Sequence, residues 1–115
     1  MVMSEKILRD FRQKLAKSVL DILLMKYAKE KGKVDGYGFM KYAYENLNII
    51  FSSGSVYAQL YKLEREGLMK SERTPKQIFK LTSKGADVIG VLLNSSEIQT
   101  ILEIFSFGLK RSDTK

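Results

Sequence analysis

The hydrophobic period changes at Gly67, and this change limits the architecture more than any other feature of the chain. Up to Glu66 the apolar residues recur at three- and four-residue spacing, the stripe of a helix. From Leu68 to Leu81 they alternate with polar residues as strands do, and after Thr82 the helical spacing returns. The sole proline, Pro75, lies within the alternating stretch in Arg73-Thr74-Pro75-Lys76 and marks a turn. The pattern predicts a mainly α fold with one small two-stranded hairpin whose tip is basic.

No Gly or Pro interrupts the chain from Glu5 to about Glu30, where Leu8, Phe11, Leu15, Val19, Ile22 and Leu23 keep helical spacing. One long helix is expected there, with Leu20 to Tyr27 deep in the core and Lys29 to Gly32 as its end. Asp35 or Gly36 is placed to cap a short second helix from about Tyr37 to Asn46, whose apolar side is Phe39, Met40, Ala43 and Leu47. In Ser52-Ser53-Gly54-Ser55 a hydroxyl can accept from the orphan N–H groups of a third helix, which runs to Glu66 and is stopped by Gly67. Beyond the hairpin, Thr82 or Ser83 caps a fourth helix through Val88, Ile89, Val91 and Leu92. Asn94-Ser95-Ser96-Glu97 resembles a capping box, with Asn94 as cap, for a fifth helix bearing Ile98, Ile101, Leu102, Phe105 and Leu109. The expected organisation is a domain over residues 1–93, a terminal helix over 94–110 and a disordered tail over 111–115.

A chain of 115 residues has room for one core. With no Cys and no His it lacks thiol nucleophiles, Ser-His-Asp relays, disulfides and the usual zinc or copper ligands, and its carboxylates are scattered singly. An enzyme is not expected, nor a metal or other cofactor. The longest apolar runs, such as Ile22 to Met25, fall far short of the roughly 20 residues a membrane span needs, and the charged start through Arg12 is unlike a signal peptide, so a cytoplasmic home without membrane insertion is expected. The net charge of +7 is uneven. Residues 1–33 hold nine basic and four acidic side chains and 67–84 hold five and one, whereas 34–66 hold three and four. Two basic blocks flanking a near-neutral middle suit a polyanion partner.

Helix, short helix, helix, basic hairpin, helix is the element order of a winged helix-turn-helix, in which the third helix enters a major groove and the hairpin, or wing, meets the neighbouring backbone. At about 100° per residue, Val56, Leu60 and Leu63 share one side of the third helix, and Ser55, Ala58, Lys62 and Arg65 the other. The second side is small, polar and basic, as base reading requires. Ser55, Ala58, Gln59 and Lys62 are the candidate base contacts. Ser53, Tyr57, Tyr61, Arg65, Arg73, Lys76 and Lys80 are the candidate phosphate contacts, with Tyr57 straddling core and groove.

Gly36-Tyr37, Ser53-Gly54-Ser55-Val56-Tyr57 with Leu60 and Leu63-Glu64-Arg65-Glu66-Gly67-Leu68, and Phe79-Lys80-Leu81-Thr82-Ser83-Lys84-Gly85 together resemble the PadR-type transcriptional regulators, over roughly Leu15 to Val91. The resemblance implies a dimeric DNA-binding regulator, usually a repressor, whose C-terminal helix makes the dimer contact. The sequence departs from that pattern in a wing with almost no tip and in one short helix after Leu93. Some relatives hold aromatic ligands in a pore at the dimer interface. No residue here marks such an effector site, although Tyr27, Tyr37, Tyr42, Tyr44, Tyr57 and Tyr61 are numerous enough to line one.

Two apolar stripes need cover: Leu8, Phe11 and Leu15 near the start, and Ile98, Ile101, Leu102, Phe105 and Leu109 near the end. A two-fold homodimer joined through them would present paired recognition helices to successive major grooves about 34 Å apart, on palindromic or pseudo-palindromic double-stranded DNA. The alternatives are a winged-helix protein-interaction module and a sequence-indifferent DNA-coating protein.

Overall fold

The computed structural model describes residues 2–113, and the side chains of all of these except 74 and 106–113. The chain begins with α1 (Val2–Ser18) and α2 (Leu20–Lys31), which are two helices and not the single long one expected. They part at Val19, whose backbone (φ −116°, ψ 24°) leaves the helical region. The Ser18 hydroxyl donates to the Leu15 carbonyl at 2.7 Å, and the Val19 N–H is shared between the Leu15 and Ala16 carbonyls. A serine hydroxyl bonded back into its own helix bends it, and β-branched Val19 resists regaining the helical geometry. Periodicity could not reveal this break, because the apolar spacing continues across it. Gly32, at φ 88°, closes α2 in the left-handed region, as its position after Lys31 predicts.

Helix α3 (Gly36–Tyr42) opens at Asp35, which accepts from the Tyr37 N–H, and passes into a π-helical turn, Ala43–Leu47, where a regular helix to Asn46 was expected. Helix α4 (Ser53–Arg65) is capped by Ser52, whose Oγ accepts from the Ser55 N–H at 3.1 Å. Strands β1 (Met69–Thr74) and β2 (Lys76–Leu81) pair antiparallel with Ser71 opposite Phe79, so Pro75 alone spans the tip. Phe79 also bridges Val34 through two backbone hydrogen bonds of 2.8 and 2.9 Å, an isolated bridge on the other edge of β2 that the sequence did not signal. Thr82 caps α5 (Ser83–Leu93) and also donates to the Gly67 carbonyl, so the wing is closed at its base by one side chain.

Helix α6 (Ser96–Asp113) is capped by Ser95, not Asn94: the Ser95 Oγ accepts from the Glu97 and Ile98 N–H groups. The helix continues through residues 111–113, which were expected in the tail, while 114–115 lie outside the described residues.

The core is one cluster. Leu23, Leu24, Met25 and Ala28 of α2 meet Phe39, Val56, Leu60, Leu63, Met69, Phe79 and Ile89, and Phe105 of α6 completes it. The side chains of residues 2–11 are all exposed, so most of α1 stands clear of this core. Its second half is held by Ala16, which is buried in the core, by Leu15 packed against it, and by a polar tie. The Gln13 amide both donates to the Ile50 carbonyl and accepts from the Ile50 N–H, pairing with the loop before α4 as a strand would. Among the described residues no single helix is long and apolar enough to cross a membrane.

Candidate nucleic-acid interface

Helix α4 is amphipathic in the sense its sequence predicts. Val56, Leu60 and Leu63 are buried against α2, α3 and β1, while Ser53, Ser55, Ala58, Lys62 and Arg65 are exposed and Gln59 is half-buried. Ser55, Ala58, Gln59, Lys62 and Arg65 line a shallow depression of about 420 Å³, whose other wall is Lys17 and Leu20 at the α1–α2 junction. Lys62, Arg65 and Lys17 form no ion pair among the described residues, so their charge faces solvent unneutralised. Lys17 lies some forty residues before the exposed side of α4 in sequence, and the only sequence signal for it is the basic character of residues 1–33.

Several other candidates also have partners within the chain. The Tyr57 ring lies over Gly36, where any Cβ would run into it, and 5.8 Å from the Tyr37 ring. Glycine at 36 is therefore what lets the first turn of α3 approach α4. Burial in this position, with the Asp35 carboxylate nearby, pushes the Tyr57 phenol above its ordinary pKa. Tyr61 stacks edge-on against Phe79 and donates its hydroxyl to the Gln77 side chain at 2.7 Å. Tyr61 thus ties α4 to the wing through both its ring and its hydroxyl. Glu64 gives a second brace, its carboxylate accepting from both the N–H and the hydroxyl of Ser71.

Two of the wing's cations are engaged. Lys76, at the tip, reaches the Asp35 carboxylate at 2.9 Å, and Lys80 lies 3.6 Å from Glu72 across the hairpin. The hydrogen bond to Asp35, then its charge, holds the Lys76 ammonium above its ordinary pKa. Of the expected wing contacts, Arg73 alone is exposed and outside any ion pair among the described residues.

The expected dimer surface divides. Leu8 and Phe11 are 53% and 59% exposed, as are Ile7 and Met3 beside them, and Leu15, Ile98, Ile101 and Leu102 are half-buried. Phe105 is 1% exposed, so its area is covered within its own chain. Helix α6 folds back on the π-helical turn, and Phe105 closes a cleft with Leu23, Tyr27, Tyr42, Leu47 and Leu102. The Leu109 side chain lies outside the described residues. That cleft is about 200 Å³, below the roughly 300 Å³ at which pockets for drug-sized ligands begin. Within the chain the tyrosines are spread out: Tyr27 and Tyr42 line the cleft, Tyr37 and Tyr44 face solvent, and Tyr57 and Tyr61 lie on α4 against Gly36 and Phe79.

The fold is that of a winged helix and matches solved structures of this kind. A transcriptional regulator from Clostridium thermocellum superposes with a TM-score of 0.64 at 18% identity, covering 77% of this chain and 90% of that one. A PadR family transcriptional regulator from Eggerthella lenta superposes with a TM-score of 0.63 at 19% identity, covering 96% of each chain. No family model matches the sequence, and no curated protein matches it. At these identities the likeness establishes a shared fold, with the same extension beyond the winged helix in the second case.

Proposed function

We propose that this chain is a dimeric, sequence-specific DNA-binding transcriptional regulator of the PadR type that acts as a repressor in the cytoplasm. The observation that carries the reading is the outer side of α4. A recognition helix needs small residues for close approach and donors for base edges and phosphates, and Ser55, Ala58, Gln59, Lys62 and Arg65 are displayed there while the opposite side is buried. The brace through Tyr61, Gln77, Glu64 and Ser71 holds the helix rigid relative to the wing, which favours register-dependent reading. Both superposed structures are of transcriptional regulators.

In this reading Ser55, Ala58, Gln59 and Lys62 meet bases, and Ser53, Arg65 and Arg73 meet phosphates. Lys76 and Lys80 contribute only as far as DNA displaces Asp35 and Glu72. The exposed apolar row on α1, Met3, Ile7, Leu8 and Phe11, forms the dimer surface together with the half-buried Leu15 of α1 and Ile98, Ile101 and Leu102 of α6. Two-fold pairing there predicts palindromic half-sites about 34 Å apart.

Selection of bound fragments from random DNA tests binding, specificity and symmetry together. A recovered palindrome is the expected result. Fragments with no shared sequence would favour a coating protein, and no salt-sensitive binding at all would favour a protein-interaction module.

A further inference from the structure

We infer that the last turn of α1 is a second DNA-contacting element, and that Lys17 binds a backbone phosphate beside the groove occupied by α4. This inference rests on the regulator reading and extends its contact surface to a helix outside the winged motif.

The break at Val19 carries it. Because α1 ends there, Lys17 is brought to the rim of the same depression as Ser55, Ala58, Gln59, Lys62 and Arg65. Three cations, Lys17, Lys62 and Arg65, thus surround one open trench, and no acidic side chain lines it. Asp21, the nearest acid in sequence, turns its carboxylate onto the Ile22 N–H at 2.8 Å and is not part of the lining. The placement is also held. The two-way hydrogen bonding between Gln13 and the Ile50 backbone fixes α1 one turn before Lys17 against the loop that leads into α4. With α4 in a major groove, an element alongside it meets the groove wall, which is phosphate and not base edge. A lysine there supplies a point charge whose contact releases counterions without regard to sequence.

A basic residue in the last turn of a helix also offsets the helix dipole, so the test must separate that role from DNA contact. Binding of wild type, Lys17→Gln and Lys17→Arg to a labelled mixed-sequence duplex is measured across a series of salt concentrations, with thermal melting of each protein alone. Lys17→Gln is expected to melt with the wild type and to lower the log–log salt slope by about 0.9 for each protomer bound, while Lys17→Arg keeps the slope. An unchanged slope for Lys17→Gln overturns the inference and leaves the regulator reading standing. The same loss in Lys17→Arg as in Lys17→Gln overturns it too, since charge would not then be the cause. If the wild type itself shows no salt-dependent binding, the regulator reading falls and this inference falls with it.

Discussion

The outer side of α4 and the wing hold cations of the same kind, yet the fold treats them oppositely. On α4, Lys62 and Arg65 stand free of ion pairs and open onto a trench. On the wing, Lys76 and Lys80 are matched to Asp35 and Glu72, and Gln77 is matched to Tyr61. A phosphate that approaches Lys76 or Lys80 must compete with a carboxylate already in place, whereas one that approaches α4 displaces only water and salt ions. Count of basic residues is therefore a poor guide to binding. The hairpin is better understood as a brace that orients α4, with Lys70 and Arg73 as its cations outside any ion pair among the described residues.

The largest expected effect tests the bracing role. Phe79→Ala removes a fully buried ring that packs on Tyr61, while leaving the backbone bridge to Val34 in place. It should cost about 3–5 kcal/mol of stability by denaturant unfolding, and a cost near zero would mean the wing is an independent arm. Next, Gln59→Ala and Lys62→Ala should each lose roughly 1–3 kcal/mol of binding to a selected site and alter base preference. Equal losses on selected and random duplex, in competition gel shifts, would move the reading side of α4 elsewhere.

Asp35→Asn sharpens the contrast directly. Asn caps helices as well as Asp does, so α3 should persist, but Lys76 loses its counter-charge. The salt slope of DNA binding should then rise by up to about 0.9 per protomer, while Lys76→Ala in the wild-type background should lower it by less than that. The reverse ranking would show that the Asp35 pair gives way whenever DNA binds. The smallest effect belongs to Tyr61→Phe, which keeps the ring on Phe79 and removes only the hydroxyl given to Gln77. A stability loss under about 1 kcal/mol with an unchanged salt slope is expected, and a slope that falls would return Tyr61 to the phosphate contacts.

Much of this was legible before any coordinates. The apolar triad of Val56, Leu60 and Leu63 places the core side of α4 by periodicity alone, and Gly32 and Gly67 take the left-handed backbone that ends their helices. Thr82 caps α5 by its position before a helical run. The misreadings share a cause. Ser18 bends back onto Leu15, and the choice of Ser95 over Asn94 as cap depends on backbone direction, neither of which leaves a mark in hydrophobic spacing. Phe105 belongs to a stripe on its own helix, and nothing in that stripe says whether the helix folds back onto its own domain or onto another copy.

What the sequence by itself determined are the properties that arise between near neighbours: element type, caps, turns, and which side of each helix is apolar. These follow from backbone geometry and short-range hydrogen bonding, which act over three or four residues. Tertiary structure alone decided the pairings between distant segments: Lys76 with Asp35 across 41 residues, Gln13 with Ile50 across 37, and Lys17 with the exposed side of α4. Those depend on where whole elements come to rest after the core closes, and at that stage a charge that looks available in the sequence is either neutralised or left open.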